Sequence, residues 1–144
     1  MKYNNELKKA FQVSIPVMMG YSVLGFAFGL LLVSFEYSWY LAPLMSLFIY
    51  AGALQFVAIS FFNVKAGMID IAIASWFINI RQSFYGLSLL KRFKDTGKFK
   101  TYLIFGLTDE TYALLTTIKD DESLNKRWYY FFLTALNQSY WFIG

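Results

Sequence analysis

Three charged residues stand inside otherwise apolar stretches and are the residues best placed to do chemistry: Arg81, Asp109 and Glu110. Arg81 precedes Lys91 by ten residues, and the two carboxylates follow Lys100 by nine and ten. At 1.5 Å per helical residue, an antiparallel hairpin about Lys91–Lys100 sets all three about 13–15 Å deep, near a bilayer midplane. Each costs roughly 2.5–3.5 kcal/mol at that depth if it faces lipid. An arginine beside two carboxylates lowers the cost and leaves one carboxylate to spare, which suits a proton carrier. The bland alternative is a buried structural ion pair. Such pairs are often neutral for stability against apolar replacements, so three retained charges favour function. Asn79, Gln82, Ser83 and Tyr85 surround Arg81, while Thr108, Thr111 and Tyr112 surround the carboxylates. On a helix Tyr85 shares the Arg81 face and Tyr112 the Asp109 face. Interhelical hydrogen bonding competes with a lining role for each of these polar residues.

The elements that position these residues are apolar and long. Of 144 residues 58% are hydrophobic and only 15% charged, against about a quarter charged in a soluble domain. Uncharged runs at 10–35, 37–64 and 128–144 hold half the chain, and about 20 apolar residues suffice to cross the hydrocarbon core. This excludes a soluble enzyme, a nucleic-acid-binding module and a disordered tail. The net charge of +4 sits between apolar runs, where it acts as an orientation signal rather than a nucleic-acid surface. Cysteine and histidine are absent, which removes disulfides, thiolate chemistry and the usual proton shuttle, and no cofactor or metal is expected.

The predicted architecture is an all-α polytopic membrane protein with segments at 10–35, 37–64, 66–90, 101–118 and 128–144. They form a single membrane domain over 1–144. No closed-barrel alternation is present, so helices must satisfy the backbone in lipid. A simple serpentine places either the N-terminal lysines or the basic stretch Lys91–Lys100 outside, against the positive-inside rule. Both defects vanish if one of the first three runs enters and leaves by the same face. Residues 37–64 are the preferred re-entrant pair, because Pro43 and Ala51-Gly52-Ala53 can interrupt a helix. The last run ends without a flanking charge and is read as an incomplete helix, the chain being the N-terminal part of a longer transporter. Gly25 and Gly29 form a G-x-x-x-G pair that favours close helix packing.

Four stretches together resemble the AzlC-type branched-chain amino acid permeases. They are Pro16…Gly20-Tyr21…Gly25-Phe26-Ala27-Phe28-Gly29, Ala51-Gly52-Ala53-Leu54-Gln55-Phe56, Asn79-Ile80-Arg81-Gln82-Ser83-Phe84-Tyr85-Gly86 and Phe105-Gly106-Leu107-Thr108-Asp109-Glu110-Thr111-Tyr112-Ala113. Leu54 and Gln82 stand where that family often has Ser and His. The resemblance implies export of branched-chain amino acids, and often methionine, across the cytoplasmic membrane with a separate small hydrophobic subunit of the AzlD type. A zwitterion with an apolar side chain needs a cation, an anion and a greasy wall. Arg81 offers a planar fork for the carboxylate, Asp109 or Glu110 an ammonium partner, and Gln55, Asn79 and Tyr85 hydrogen bonds. Phe56 and Phe84 are the expected apolar contacts. Asp109 is preferred over Glu110 because it shares its face with Tyr112 and Thr116. Two other readings compete. A membrane-embedded enzyme using Asp109 and Glu110 as an acid/base pair is disfavoured because neighbours on a helix point about 100° apart. A non-transporting assembly subunit leaves three midplane charges without purpose.

Overall fold

The computed structural model describes residues 3–117 and 123–144. Its elements are α1 (Asn4–Ser34), α2 (Leu41–Phe48), α3 (Gly52–Asn63), α4 (Met68–Leu89), a 3-10 segment (Lys94–Phe99), α5 (Lys100–Phe105), α6 (Asp109–Thr117) and α7 (Lys126–Ile143). Among the described residues there is no strand. The protein is an all-α membrane protein built on the apolar runs of its sequence. Among the described residues α1 alone is both long and apolar enough to cross a bilayer by itself.

α1 and α7 form the frame and run in the same direction. Tyr3 stacks on Trp128 at 4.7 Å, Ser14 hydrogen-bonds Tyr140 at 3.0 Å, and the Tyr21 ring meets Trp141 at 5.2 Å. Rising numbers on one helix therefore meet rising numbers on the other. Gly25 lets the two backbones close: a Cβ there would lie 2.6 Å from the carbonyl carbon of Gly144. Its G-x-x-x-G partner Gly29, and Gly20, face open space, so on α1 Gly25 supplies the close approach, met by Gly144, where a Cβ would lie 2.7 Å from the Tyr21 carbonyl oxygen.

The run 37–64 is interrupted as its small residues suggest. α2 stops at Phe48, Tyr50 takes a positive φ of 43°, and α3 starts afresh at Gly52. Gln55 on α3 reaches back to Ser46 on α2 at 3.3 Å. At the other end of α3, Phe62 meets Tyr37, in the loop that follows α1, at 5.7 Å. Both ends of this α2–α3 hairpin thus lie at the far end of α1, and its tip reaches the level of Tyr21 and Trp141.

A second interruption corrects the sequence reading, which takes 101–118 as one continuous segment antiparallel to α4. α5 spans six residues and ends at Gly106, and α6 begins at Asp109. Arg81 meets Asp109, and one turn further on Tyr85 stacks on Tyr112 with ring centroids 4.3 Å apart. The pairing 81 with 109 and 85 with 112 makes α6 parallel to α4. α5 instead follows α7, with Phe99 stacked on Phe131 at 4.6 Å and Tyr102 hydrogen-bonded to Gln138 at 2.7 Å. α6 opposes α7, so α5 and α6 make a second hairpin, entering from the opposite end to α2–α3. The physical reason is local. Thr108 caps α6 by accepting the Thr111 amide at 3.3 Å, and acidic residues at 109 and 110 suit the positive pole of a helix start.

The connection Ser123–Asn125 returns to the end that holds the basic loop, since Glu6 accepts the Asn125 amide at 3.1 Å. Residues 118–122, which include the end of the expected fourth segment and the start of the mixed-charge connection, lie outside the described residues. Arg127 lies over Phe99 at 4.7 Å and 3.8 Å from the Gly97 Cβ position. Lys8, Lys9, Lys91, Arg92, Lys126 and Arg127 line clefts at this end. The opposite end carries Glu36 and Lys65 in its loops. The largest core, with Phe93, Leu103, Leu107, Tyr130 and Leu133, seals the basic end. Phe28, Leu32, Met45 and Ile59 seal the other. Large apolar side chains such as Met19, Val23, Phe26, Met68, Ile69, Trp76 and Phe77 point outward, as a lipid-facing surface requires.

The second hairpin depends on Gly106, where a Cβ would overlap the Thr134 methyl carbon. Gly106→Ala is expected to cost about 1–3 kcal/mol, the range for overpacking. Adding Thr134→Ser, which removes that methyl, is expected to restore most of the loss in thermal unfolding.

Candidate functional site

The two hairpin tips meet beside Tyr21, in the middle of α1, around a cavity of about 240 Å³. Tyr21, Tyr50, Gly52, Phe56, Arg81, Gln82, Thr108, Asp109, Glu110 and Trp141 line it, with Leu24. Five helices contribute, together with both breaks. A site built at the ends of interrupted helices exposes backbone that a continuous helix would hide, and irregular backbone at membrane depth is tolerated only where it borders protein or a cavity.

Arg81 Nη1 binds Asp109 Oδ2 at 2.7 Å. The stacked Tyr85 and Tyr112 rings lie one turn above this pair, and Ser88 reaches the Tyr112 hydroxyl at 3.3 Å. Asp109 Oδ1 is buried without a hydrogen-bond partner. Glu110 is bound differently. Its Oε2 accepts the Tyr21 hydroxyl at 2.6 Å, a short charge-assisted bond. The single Tyr21 proton is thereby used, so Thr108 donates in the 2.8 Å contact between the Thr108 and Tyr21 hydroxyls. Thr111 lies 3.2 Å behind Thr108, and Asn137 Nδ2 donates to Thr111 Oγ1 at 3.0 Å. The file Asn137, Thr111, Thr108, Tyr21 points its protons at Glu110. Glu110 is the carboxylate that Arg81 leaves to spare.

The sequence-derived residues divide accordingly. Arg81, Asp109, Glu110 and Phe56 line the cavity. Tyr85 and Tyr112 buttress the ion pair from above. Gln55 is fully buried and committed, accepting the Trp141 indole N–H at 2.7 Å and donating to Ser46. Asn79 lines a separate, open cleft between α4 and Ile104, and Phe84 points outward at 62% exposure. Neither belongs to the cavity. Gln82 and Thr108, which the sequence places around the charges, line it as well, and the unforeseen lining residues are Tyr21, Leu24, Tyr50, Gly52 and Trp141. The signal for Thr108 was present in Gly106-Leu107-Thr108-Asp109-Glu110, a glycine stop followed by a capping residue and an acidic first turn. Tyr21 and Trp141 carry no local signal, because only the parallel packing of α1 on α7 brings them together.

The arrangement presents one neutralised ion pair, one carboxylate held by hydroxyls, and an aromatic wall from Phe56 and Trp141. Such a cavity can hold a small molecule with a cationic head and an apolar body. In a double-mutant cycle, Arg81→Ala and Asp109→Ala are expected to couple by about 0.5–3 kcal/mol in unfolding experiments. The double variant should then be more stable than the sum of the single losses predicts, and strict additivity contradicts the pairing.

The family model of the AzlC protein matches residues 16–144. A Helicobacter pylori protein described as an uncharacterized membrane protein is 44% identical over 137 residues, which cover 95% of this chain and 60% of its own. The branched-chain amino acid transport protein AzlC of Bacillus subtilis is 36% identical over 95% of this chain and 54% of its own. The inner membrane protein YgaZ of Escherichia coli is 32% identical over 80% of this chain and 49% of its own. The chain spans about half to three-fifths of the length of these relatives. No solved structure matches it. The family model covers nine-tenths of the residues, and the chain belongs to the AzlC protein family.

Proposed function

We propose that this chain forms the substrate-binding part of a secondary transporter that exports branched-chain amino acids, with methionine as a further substrate, across the cytoplasmic membrane. The observation that carries the reading is the cavity between two oppositely directed hairpins, with Glu110 unpaired by any described cation and apolar rings beside it. Secondary transporters place substrates near the midplane at discontinuous helices. The Bacillus subtilis relative is named for branched-chain amino acid transport, which fits a cavity with polar groups at one side and Phe56 and Trp141 at the other.

In this reading α1, α4 and α7 cross the bilayer. Their 31, 22 and 18 residues give lengths of about 46, 33 and 27 Å, against about 30 Å of hydrocarbon. The basic end is cytoplasmic by the positive-inside rule. The α2–α3 hairpin then enters from outside and α5–α6 from the cytoplasm. Glu110 faces the substrate ammonium, while Asp109 holds Arg81 in place. The earlier preference for Asp109 as the ammonium partner is thereby reversed, because its charge is already spent on Arg81. Chemistry on a covalent bond has no support here: the two carboxylates serve separate partners and do not converge on one reacting atom. A small AzlD-type membrane subunit completes the transporter in this proposal.

The test is efflux of leucine, isoleucine, valine and methionine from loaded cells that express the full-length transporter with its small partner. Glu110→Gln is expected to lower efflux at least about tenfold at normal protein level, the scale of a lost charge-assisted bond. Lys65→Ala, in an exposed loop, should leave it unchanged. Unaltered efflux by Glu110→Gln contradicts the assignment.

A further inference from the structure

An amino acid brings a carboxylate as well as an ammonium, and Arg81, the cation lining the cavity, is engaged by Asp109 at 2.7 Å. A second positive pole is built into the other hairpin. α3 starts at the cavity, with Gly52 among the lining residues. The amides of Gly52, Ala53 and Leu54 precede the first backbone bond of the helix, from Gln55 N to Ala51 O at 2.9 Å. They are left without intrahelical acceptors. The N-cap is Ala51, which makes no side-chain capping bond, and alanine is among the poorest N-caps. The first turn of α3 carries no acidic residue. The start of α6, across the cavity, is by contrast capped by Thr108 and carries both acids.

Tyr50 supplies an independent observation. It is 97% buried, it lines the cavity, and its hydroxyl makes no hydrogen bond. Its φ of 43° is a left-handed conformation that glycine or asparagine adopts far more readily. Strained backbone of this kind costs on the order of 1–3 kcal/mol and clusters at ligand sites. This strained residue stands two positions before the helix start, and its side chain lines the same cavity as Gly52.

Building on the amino acid reading above, the geometry points to the N-terminus of α3, with the Tyr50 hydroxyl, as the subsite for the substrate carboxylate. Backbone amides at a helix start aim at an anion and the helix dipole favours it. The substrate then lies between hairpins, its carboxylate on the uncharged start of α3 and its ammonium on Glu110 at the acidic start of α6. Arg81 becomes a positioning residue for Asp109. Binding therefore ties the two hairpin tips together through the ligand.

The experiment measures calorimetric binding of leucine and of 3-methylbutylamine, the same skeleton without its carboxylate, to the full chain in lipid nanodiscs. Ala51→Ser places a hydroxyl that caps the same amides from within the chain. It should keep or raise thermal stability, weaken leucine by about tenfold, the scale of one hydrogen bond to a charged group, and leave the amine unchanged. Tyr50→Phe should weaken leucine selectively as well. Leucine affinity unaltered in both variants, or equal losses for both ligands, overturns the subsite while leaving the amino acid reading in place. If the unaltered chain binds neither compound, the amino acid reading falls, and the subsite with it.

Discussion

The hydroxyl of Tyr21 joins the two halves of the structure. It donates to Glu110 at 2.6 Å and accepts from Thr108 at 2.8 Å, so one side chain on α1 holds the first turn of α6 at two points. Its ring packs edge-on to Trp141 at 5.2 Å, and the Trp141 indole in turn fixes Gln55 on α3 at 2.7 Å. The tip of each hairpin is therefore tied to the α1–α7 frame within one connected set of contacts. Hydrogen bonds in a low-dielectric interior strengthen one another, and an unpaired polar atom there is expensive. That constraint explains why the polar residues of this apolar chain gather at the two helix breaks.

Breaking a helix inside a membrane frees backbone groups that lipid cannot satisfy. Each hairpin answers this in its own way. At α6 the side chain of Thr108 and the acids 109 and 110 serve the helix start. At α3 no described side chain does so, and Trp141 packs beside the tip, where its ring would contact a Cβ on Gly52 at 3.0 Å. In the proposed binding mode this asymmetry supplies an electropositive and an electronegative wall, with Arg81 engaged by Asp109. The ion pair of Arg81 and Asp109 ties α4 to α6.

Much of this was legible in the residues. The depth arithmetic for Arg81 and Asp109 put them at one level, and charge placement required a re-entrant segment, for which Pro43 and Ala51-Gly52-Ala53 marked 37–64. The arithmetic reached the right partners through the wrong hairpin, because equal distances from a basic loop are also met by a segment that turns back halfway. Gly106 and Thr108 carried the information needed to see that turn. Phe84 and Asn79 were misplaced for a different reason. Periodicity on α4 identifies which residues share a face but not which face meets the cavity, and that choice is made by α6, α3 and α7 together. Tyr21, Tyr50 and Trp141 are three of 31 aromatic residues, and packing between distant segments alone singles them out.

In the proposed topology two hairpins enter from opposite faces and meet at Glu110. The chain has no cysteine, so single cysteines can be placed at Asn5, Lys98, Ser123, Ser38 and Lys65 and labelled with a membrane-impermeant reagent in intact cells and inverted vesicles. Asn5, Lys98 and Ser123 are expected to react from the cytoplasmic face and Ser38 and Lys65 from the outside. Labelling of Ser123 from the same face as Lys65 would make 101–118 a full crossing and contradict the second hairpin.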